Sequence, residues 1–254
     1  MLQTRVIPVL LLKKGGLYKG VRFKNHKYVG DPINTVKIFN DKEVDELVLL
    51  DIEASRYKKP INFELLQQIA TEAFMPLAYG GGISSIEDAT KLFSIGFEKV
   101  ILSTNAVNNI DLIHQLVSTF GSQSIIVSID VKKGFLGKYR VYTKSGSSKT
   151  KYNPIDFAKK MQEIGVGEVV LNSIDCDGIM EGYDLDIIQK VSSVLSIPLI
   201  ASGGAGELNN IKEAKKAGAS AMGVGSMFVY HGIHKAVLIS YPKYETLYKL
   251  FEES

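Results

Sequence analysis

Short apolar runs rich in β-branched residues alternate with amphipathic stretches along the whole chain. The runs fall near 5–11, 47–52, 76–80, 98–103, 125–130, 167–173, 197–201 and 220–224. Stretches with helical periodicity fit between them, near 32–44, 62–73, 85–95, 108–119, 153–164, 184–194 and 207–217, with a last helical region from about 227. Runs such as LVLLDI and SIIVSIDV are apolar at both odd and even positions. That pattern suits parallel strands covered on both faces rather than half-exposed antiparallel ones. Eight strand–helix units in 254 residues predict a TIM (β/α)8 barrel. A doubly wound open sheet is the competing architecture. It usually has fewer strands, and no dinucleotide fingerprint follows the first run.

An internal repeat supports the barrel. Pro76-Leu77-Ala78-Tyr79-Gly80-Gly81-Gly82-Ile83 aligns without gaps on Pro198-Leu199-Ile200-Ala201-Ser202-Gly203-Gly204-Ala205, and the match runs on for about 29 residues at an offset of 122. At the same offset LVLLDIE (47–53) falls on VVLNSID (169–175). With a three-residue gap, IPVLLLKKG (7–15) falls on IVSIDVKKG (126–134). The expectation is one domain, 1–254, made of two half-barrels of about 1–122 and 123–254. Residues 120–124 are too short and ordinary for an interdomain linker.

Composition narrows the function. With 45% hydrophobic and 22% charged residues the chain can bury a large core, so disorder is excluded. A net charge of +3 is too balanced to argue for nucleic acid or an anionic membrane. A single cysteine, Cys176, excludes an internal disulfide framework and fits a reducing compartment. Four scattered histidines offer no zinc-binding pattern, and no metal or cofactor is expected. The apolar run at 6–12 follows Arg5 like a weak leader peptide, but it is short, is followed by Lys13-Lys14, and lacks a cleavage site. It reads as a buried strand. No run approaches the ~20 residues that span a bilayer. A soluble, cytoplasmic protein is expected.

Chemistry in such a barrel sits at the C-terminal ends of the strands. Two glycine clusters fall there. Gly81 and Gly82 follow the third strand and lead toward Ser103-Thr104 after the fourth. Gly203 and Gly204 follow the seventh and lead toward Gly225-Ser226 after the eighth. Glycine lets backbone N–H groups approach an anion, and a helix N-terminus adds partial positive charge. Two such pairs predict two phosphate sites across the mouth, hence an elongated ligand with a phosphate at each end. Asp177-Gly178 after the sixth strand is counted with this set. The plainer reading is that these glycines make tight turns.

Carboxylates also reach the mouth. Asp130 ends the fifth strand and Asp51 the second, while Asp175 and Asp177 follow the sixth. Any of them can act as general acid or base, or can simply cap a helix or hold a loop. The repeat places Leu11 where the second half has Asp130. A mechanism that used one carboxylate from each half has lost one here. At the opposite face Arg5, Glu46, Lys99 and Glu168 stand at the starts of strands one, two, four and six. They form a ring of two cations and two anions that serves either stability or gating.

The segments Lys19-Gly20-Val21…Phe23-Lys24-Asn25…Tyr28-Val29-Gly30-Asp31-Pro32, Glu46-Leu47-Val48…Leu50-Asp51-Ile52, Gly80-Gly81-Gly82-Ile83, Phe120-Gly121-Ser122-Gln123, Asp175…Asp177-Gly178…Gly182-Tyr183-Asp184 and Ala201-Ser202-Gly203-Gly204-Ala205-Gly206 resemble the cyclase subunit of imidazole glycerol phosphate synthase. The resemblance covers essentially the whole chain. It implies a barrel built from two half-barrels, with a glutaminase subunit on its N-terminal face. It implies ammonia passing through the core to a bisphosphorylated ribulosyl aminoimidazole carboxamide at the mouth. Arg5, Glu46, Lys99 and Glu168 match the family's ammonia gate, Glu98 an acidic residue facing the glutaminase, and Lys19 a substrate-loop lysine. The two catalytic aspartates map onto Leu11 and Asp130, so one is absent. Ser103 stands for a usual asparagine and Asn172 for a usual threonine, with Ser202 beside them at the mouth.

These departures imply a specialised paralogue. It would conduct ammonia for a glutamine amidotransferase complex, with a third, sugar-modifying protein as acceptor, as in divergent members that make an amidine on a surface-polysaccharide sugar. One alternative is an active cyclase of histidine biosynthesis that uses Asp51 or Asp175. The other is a non-catalytic scaffold that activates a glutaminase.

Overall fold

The computed structural model describes residues 4–252. Eight parallel strands close on one another: β1 (Arg5–Lys13), β2 (Leu47–Asp51), β3 (Leu77–Gly80), β4 (Lys99–Leu102), β5 (Ile125–Lys133), β6 (Glu168–Ser173), β7 (Leu199–Ser202) and β8 (Ala221–Val224). β8 pairs back onto β1, with Arg5 opposite Ala221 and Pro8 opposite Val224. β5 pairs with β6 through Asp130 opposite Asn172. This is the expected TIM barrel.

Helices α1 (Pro32–Asp41), α2 (Phe63–Glu72), α3 (Ile86–Ser94), α4 (Ile110–Phe120), α5 (Pro154–Ile164), α6 (Leu185–Ser192), α7 (Leu208–Lys216) and α8 (Tyr244–Glu252) follow the strands in turn. Their starts are set by side chains that accept the orphan N–H groups of the first turn. Asp31 and Asn153 cap α1 and α5, each with proline at the first helical position. Asn62 and Asp184 cap α2 and α6. Ser85 and Glu207 open α3 and α7. Each pair lies 122 residues apart, so the sequence repeat extends to the start signals of the helices.

The core has two layers. Ile7, Val48, Ala78, Ile101, Ile126, Ile200 and Ala221 fill the barrel interior, while a larger cluster packs the strands against the helices. No helix among the described residues is long and apolar enough to cross a membrane.

Three features depart from the expected pattern. A β-hairpin, Gly16–Val21 with Lys24–Gly30, grows from the end of β1. A second, Tyr139–Thr143 with Ser148–Lys149, grows from β5, the matching strand of the other half. The helical region expected from about 227 is instead a short 3-10 turn (Ser226–Phe228) and a two-stranded ribbon, Tyr230–His231 with Ala236–Val237. Gly232 at φ 70° and Lys235 at φ 50° turn that ribbon, and the helix starts only at Tyr244.

Candidate active site and ion-pair ring

The strands' C-terminal ends open into one cavity. It is lined by Leu11, Lys19, Asp51, Gly81, Gly82, Ser103, Thr104, Asp130, Asn172, Asp177, Gly178, Ser202, Gly203, Gly204, Gly225 and Ser226, among others. The structure therefore gathers both glycine pairs, the polar residues singled out at the mouth and the carboxylates Asp51, Asp130 and Asp177, whereas Asp175 does not line the cavity.

Asp130 is the central titratable group. It is 8% exposed. Asn172 Nδ2 donates to its Oδ1 at 3.4 Å, and Ser103 Oγ to its Oδ2 at 3.5 Å. Burial pushes its carboxyl up to about 7, with Asp177 adding to the rise and the Asn172 and Ser103 hydrogen bonds opposing it. A carboxyl poised there exchanges protons readily near neutral pH. Leu11 lies on β1 beside Leu50 of β2, so the position equivalent to Asp130 is hydrocarbon.

The other carboxylates are occupied. Asp51 Oδ1 accepts from the backbone N–H groups of Glu53 at 2.8 Å and Ala54 at 3.1 Å, at the start of the short helix Ala54–Tyr57. Asp175 Oδ2 accepts from Lys133 N at 2.9 Å. Asp177 Oδ2 accepts from Phe23 N at 3.4 Å, and its carbonyl accepts from Arg22 N at 2.8 Å. Asp177 thus docks the first hairpin onto the loop after β6. Gly178 belongs to the same contact, because a Cβ there would stand 2.1 Å from the carbonyl oxygen of Gly20. These two residues hold a lid over the mouth as well as lining it.

Lys19, carried by that hairpin, is fully desolvated. Its ammonium donates to the carbonyl of Val9. It lies against Gly225, where an added Cβ would meet it at 2.5 Å. Burial lowers it to about 8, partly countered by Asp177. Close approaches also account for the glycines of the cradles. A Cβ on Gly203 (φ +85°) would stand 2.7 Å from the Ser173 carbonyl, and one on Gly81 (φ +131°) 2.7 Å from that of Asp51. The second hairpin meets the first cradle, with Lys144 N donating to Thr104 Oγ1 at 3.0 Å.

At the opposite end the four predicted charges form a closed cycle. Arg5 bonds Glu46 at 2.5 Å and Glu168 at 2.8 Å, and Lys99 bonds Glu46 at 3.1 Å and Glu168 at 3.0 Å. Burial pulls the Arg5 guanidinium down, but Glu168 and Glu46 outweigh it and hold it up. Burial likewise raises the Glu168 carboxyl, and Arg5 and Lys99 outweigh that to hold it below its usual range. Above the ring the barrel interior is apolar as far as the mouth. Glu98 is exposed just before β4. Phe74 on the same face is 88% exposed, its backbone N–H held at 3.0 Å by Asn40 Oδ1. Sequence reasoning missed Phe74, because one apolar residue before a strand carries no periodic signal. It also missed Lys13, His26 and Arg56 in the mouth, which come together only through the hairpin and the short helix. No group of three or more His, Cys, Asp or Glu among the described residues could hold a metal ion.

The chain matches known proteins over nearly its full length. The family model described as "Histidine biosynthesis protein" matches residues 5–235. A provisionally named imidazole glycerol phosphate synthase subunit hisF2 of Pseudomonas aeruginosa is 49% identical over 243 residues, covering 95% of this chain and 97% of the relative. A provisionally named subunit HisF of Leptospira interrogans is 47% identical over 253 residues, covering 99% and 100%. Imidazole glycerol phosphate synthase subunit HisF of Alkaliphilus metalliredigens is 38% identical over 234 residues, covering 92% and 93%. With its closed barrel and mouth cavity, the chain belongs to the histidine biosynthesis protein family, as a divergent member of the HisF cyclase subunits.

Proposed function

We propose that this protein is the ammonia-conducting subunit of a glutamine amidotransferase complex in which the cyclase chemistry of the family is impaired. A glutaminase subunit docks on the N-terminal face, around Glu98 and the ion-pair ring. It releases ammonia there. Neutral ammonia crosses the apolar interior, where an ammonium ion would lose its hydration without a partner. It leaves at the mouth toward an acceptor on a third protein, a sugar that becomes an amidine. A phosphorylated ligand lies across the two glycine cradles.

The observation that carries this reading is the contrast between the two ends. The ring is complete, while Leu11 faces Asp130 across the mouth without a proton to give or take. One positioned acid or base is typically worth ~10²–10⁴-fold in rate. Asp51 and Asp175, the substitutes that an active cyclase of histidine biosynthesis would need, are both bound to backbone N–H groups.

The test uses the purified protein with the family's bisphosphate substrate and excess ammonium salt at mildly alkaline pH, which replaces the glutaminase. Leu11→Asp is run in parallel. The expected result is no measurable turnover in the wild type and partial turnover in the variant. Wild-type turnover at the rate of the family's active members overturns the proposal and restores cyclase function.

A further inference from the structure

The mouth is electrostatically lopsided. Beside Gly81-Gly82 its wall carries Lys13 at the end of β1, His26 from the first hairpin and Arg56 from the short helix Ala54–Tyr57. Lys13 and Arg56 make no ion pair with any described residue. Each instead lies near an aromatic ring, Lys13 Nζ 5.6 Å from the centroid of Tyr18 and Arg56 Cζ 5.4 Å from that of Tyr57. The carboxylates nearby are already engaged: Glu53 by Lys59 at 2.6 Å, and Asp51 by two backbone N–H groups. Burial, followed by Lys13 and Arg56, depresses the His26 imidazole, so the three groups share one local field. The far cradle is different. Its cation is Lys19, already bonded to the Val9 carbonyl and facing Asp177.

Uncompensated cations on a concave wall are a binding site for an anion that the free protein does not supply. A phosphate monoester seated on the glycine cradle is met by backbone amides and a helix start. Two further cations, Lys13 and Arg56, call for further negative charge, with the His26 imidazole beside them as a hydrogen-bond donor, and the planar Arg56 fork at the cavity's edge matches phosphate oxygens two at a time. We infer that the first-cradle end of the mouth takes a diphosphate, its inner phosphate on the Gly81-Gly82 turn and its outer one against Lys13, His26 and Arg56. The ligand class is then a diphosphate ester with a smaller anion at its other end. This inference rests on reading the glycine pairs as phosphate cradles.

Calorimetric titration of the whole protein at pH 6.5 and fixed ionic strength tests it, with inorganic phosphate and inorganic pyrophosphate as probes. The wild type is expected to bind pyrophosphate about tenfold or more tightly than phosphate. Arg56→Ala, an exposed substitution that should leave the fold intact, removes most of that preference and leaves phosphate affinity within about threefold. Lys160→Ala, on an exposed face of α5, is the charge-matched control and keeps the preference. Equal binding of the two anions by the wild type, or loss of the preference in Lys160→Ala as well, overturns the diphosphate assignment and leaves the cradles standing. Binding of neither anion overturns the cradles and the assignment together.

Discussion

Leu11 and Asp130 hold equivalent places in the two halves of the barrel. Each is near the end of the first strand of its half, and each pairs with a tyrosine of the hairpin that follows: Leu11 with Tyr18, and Asp130 with Tyr142. Both side chains line the mouth. The two halves therefore present a carboxylate and a leucine at equivalent positions of the mouth.

Asp130 should make stability depend on pH. Its carboxyl titrates near 3.9 in the unfolded chain and near 7 when folded. The folded state therefore binds this proton more tightly. The contribution is most favourable below pH 4 and is lost as pH rises through 7. Asp130→Asn removes that loss, so its urea midpoint should match the wild type at pH 4 and exceed it at pH 8. The gain at pH 8 should be on the order of 4 kcal/mol. A constant difference across pH 4–8 would contradict the raised carboxyl.

Breaking the ring should cost more than a surface ion pair. Lys99→Met leaves Glu46 and Glu168 sharing Arg5 alone, with two mostly buried carboxylates only partly compensated. Removal of one partner from a buried network typically costs about 3–5 kcal/mol; with Arg5 retained, about 2 kcal/mol is expected by urea denaturation at pH 7. The difference should shrink as pH falls below 4.5, because Glu168 is held ionised by its partners and its contribution is lost on protonation. In the reconstituted complex the same variant should uncouple glutamine hydrolysis from ammonia delivery.

One phenol ties the base of the second hairpin to the start of α6, while its tip is held by Lys144 and Ser145. Tyr139 Oη donates toward Asp184, 2.9 Å from both carboxylate oxygens, with Asp186 at 3.2 Å. Burial and the two carboxylates push the phenol far above its ordinary range. Tyr139→Phe should cost about 1–3 kcal/mol. Amide exchange should rise in residues 134–143 and stay unchanged in β1–β4. Exchange that rises uniformly would point to a global loss instead.

Gly178→Ala should lift the first hairpin. The new Cβ would stand 2.1 Å from the Gly20 carbonyl at φ +72°, and backbone cannot yield there without moving the hairpin. Lys19 travels with it. Loss of the buried site should return the Lys19 ammonium from about 8 toward its solution value, measurable by NMR titration of labelled lysine.

Much of the scaffold was legible because it is written in local terms. Strand runs such as IIVSIDV, apolar at both parities, can only be covered on both sides, and caps such as Asp31-Pro32 and Asn153-Pro154 name their own helix starts. The hairpins were less legible, although Lys14-Gly15 (φ 50° and 77°) is a turn signal. Their strands alternate too many lysines with too few apolar residues to stand out from loop. The region after β8 failed for the opposite reason: it breaks the repeat, so the first half offered no guide to it.

Sequence alone determined the barrel, the internal repeat, the pairing of Leu11 with Asp130 in that repeat and the four charges at the strand starts, since each depends on residue type and spacing. Tertiary structure decided which carboxylates are free. Asp175 looks as available as Asp130 along the chain, yet it is bound to the backbone of Lys133, 42 residues away, which only the fold brings near; Asp51 is bound locally, to the turn two and three residues on. It also decided that Lys13, His26 and Arg56 share one wall, because a hairpin, a barrel strand and a short helix meet there. Charge and hydrogen bonding act through space, over distances that sequence separation does not record.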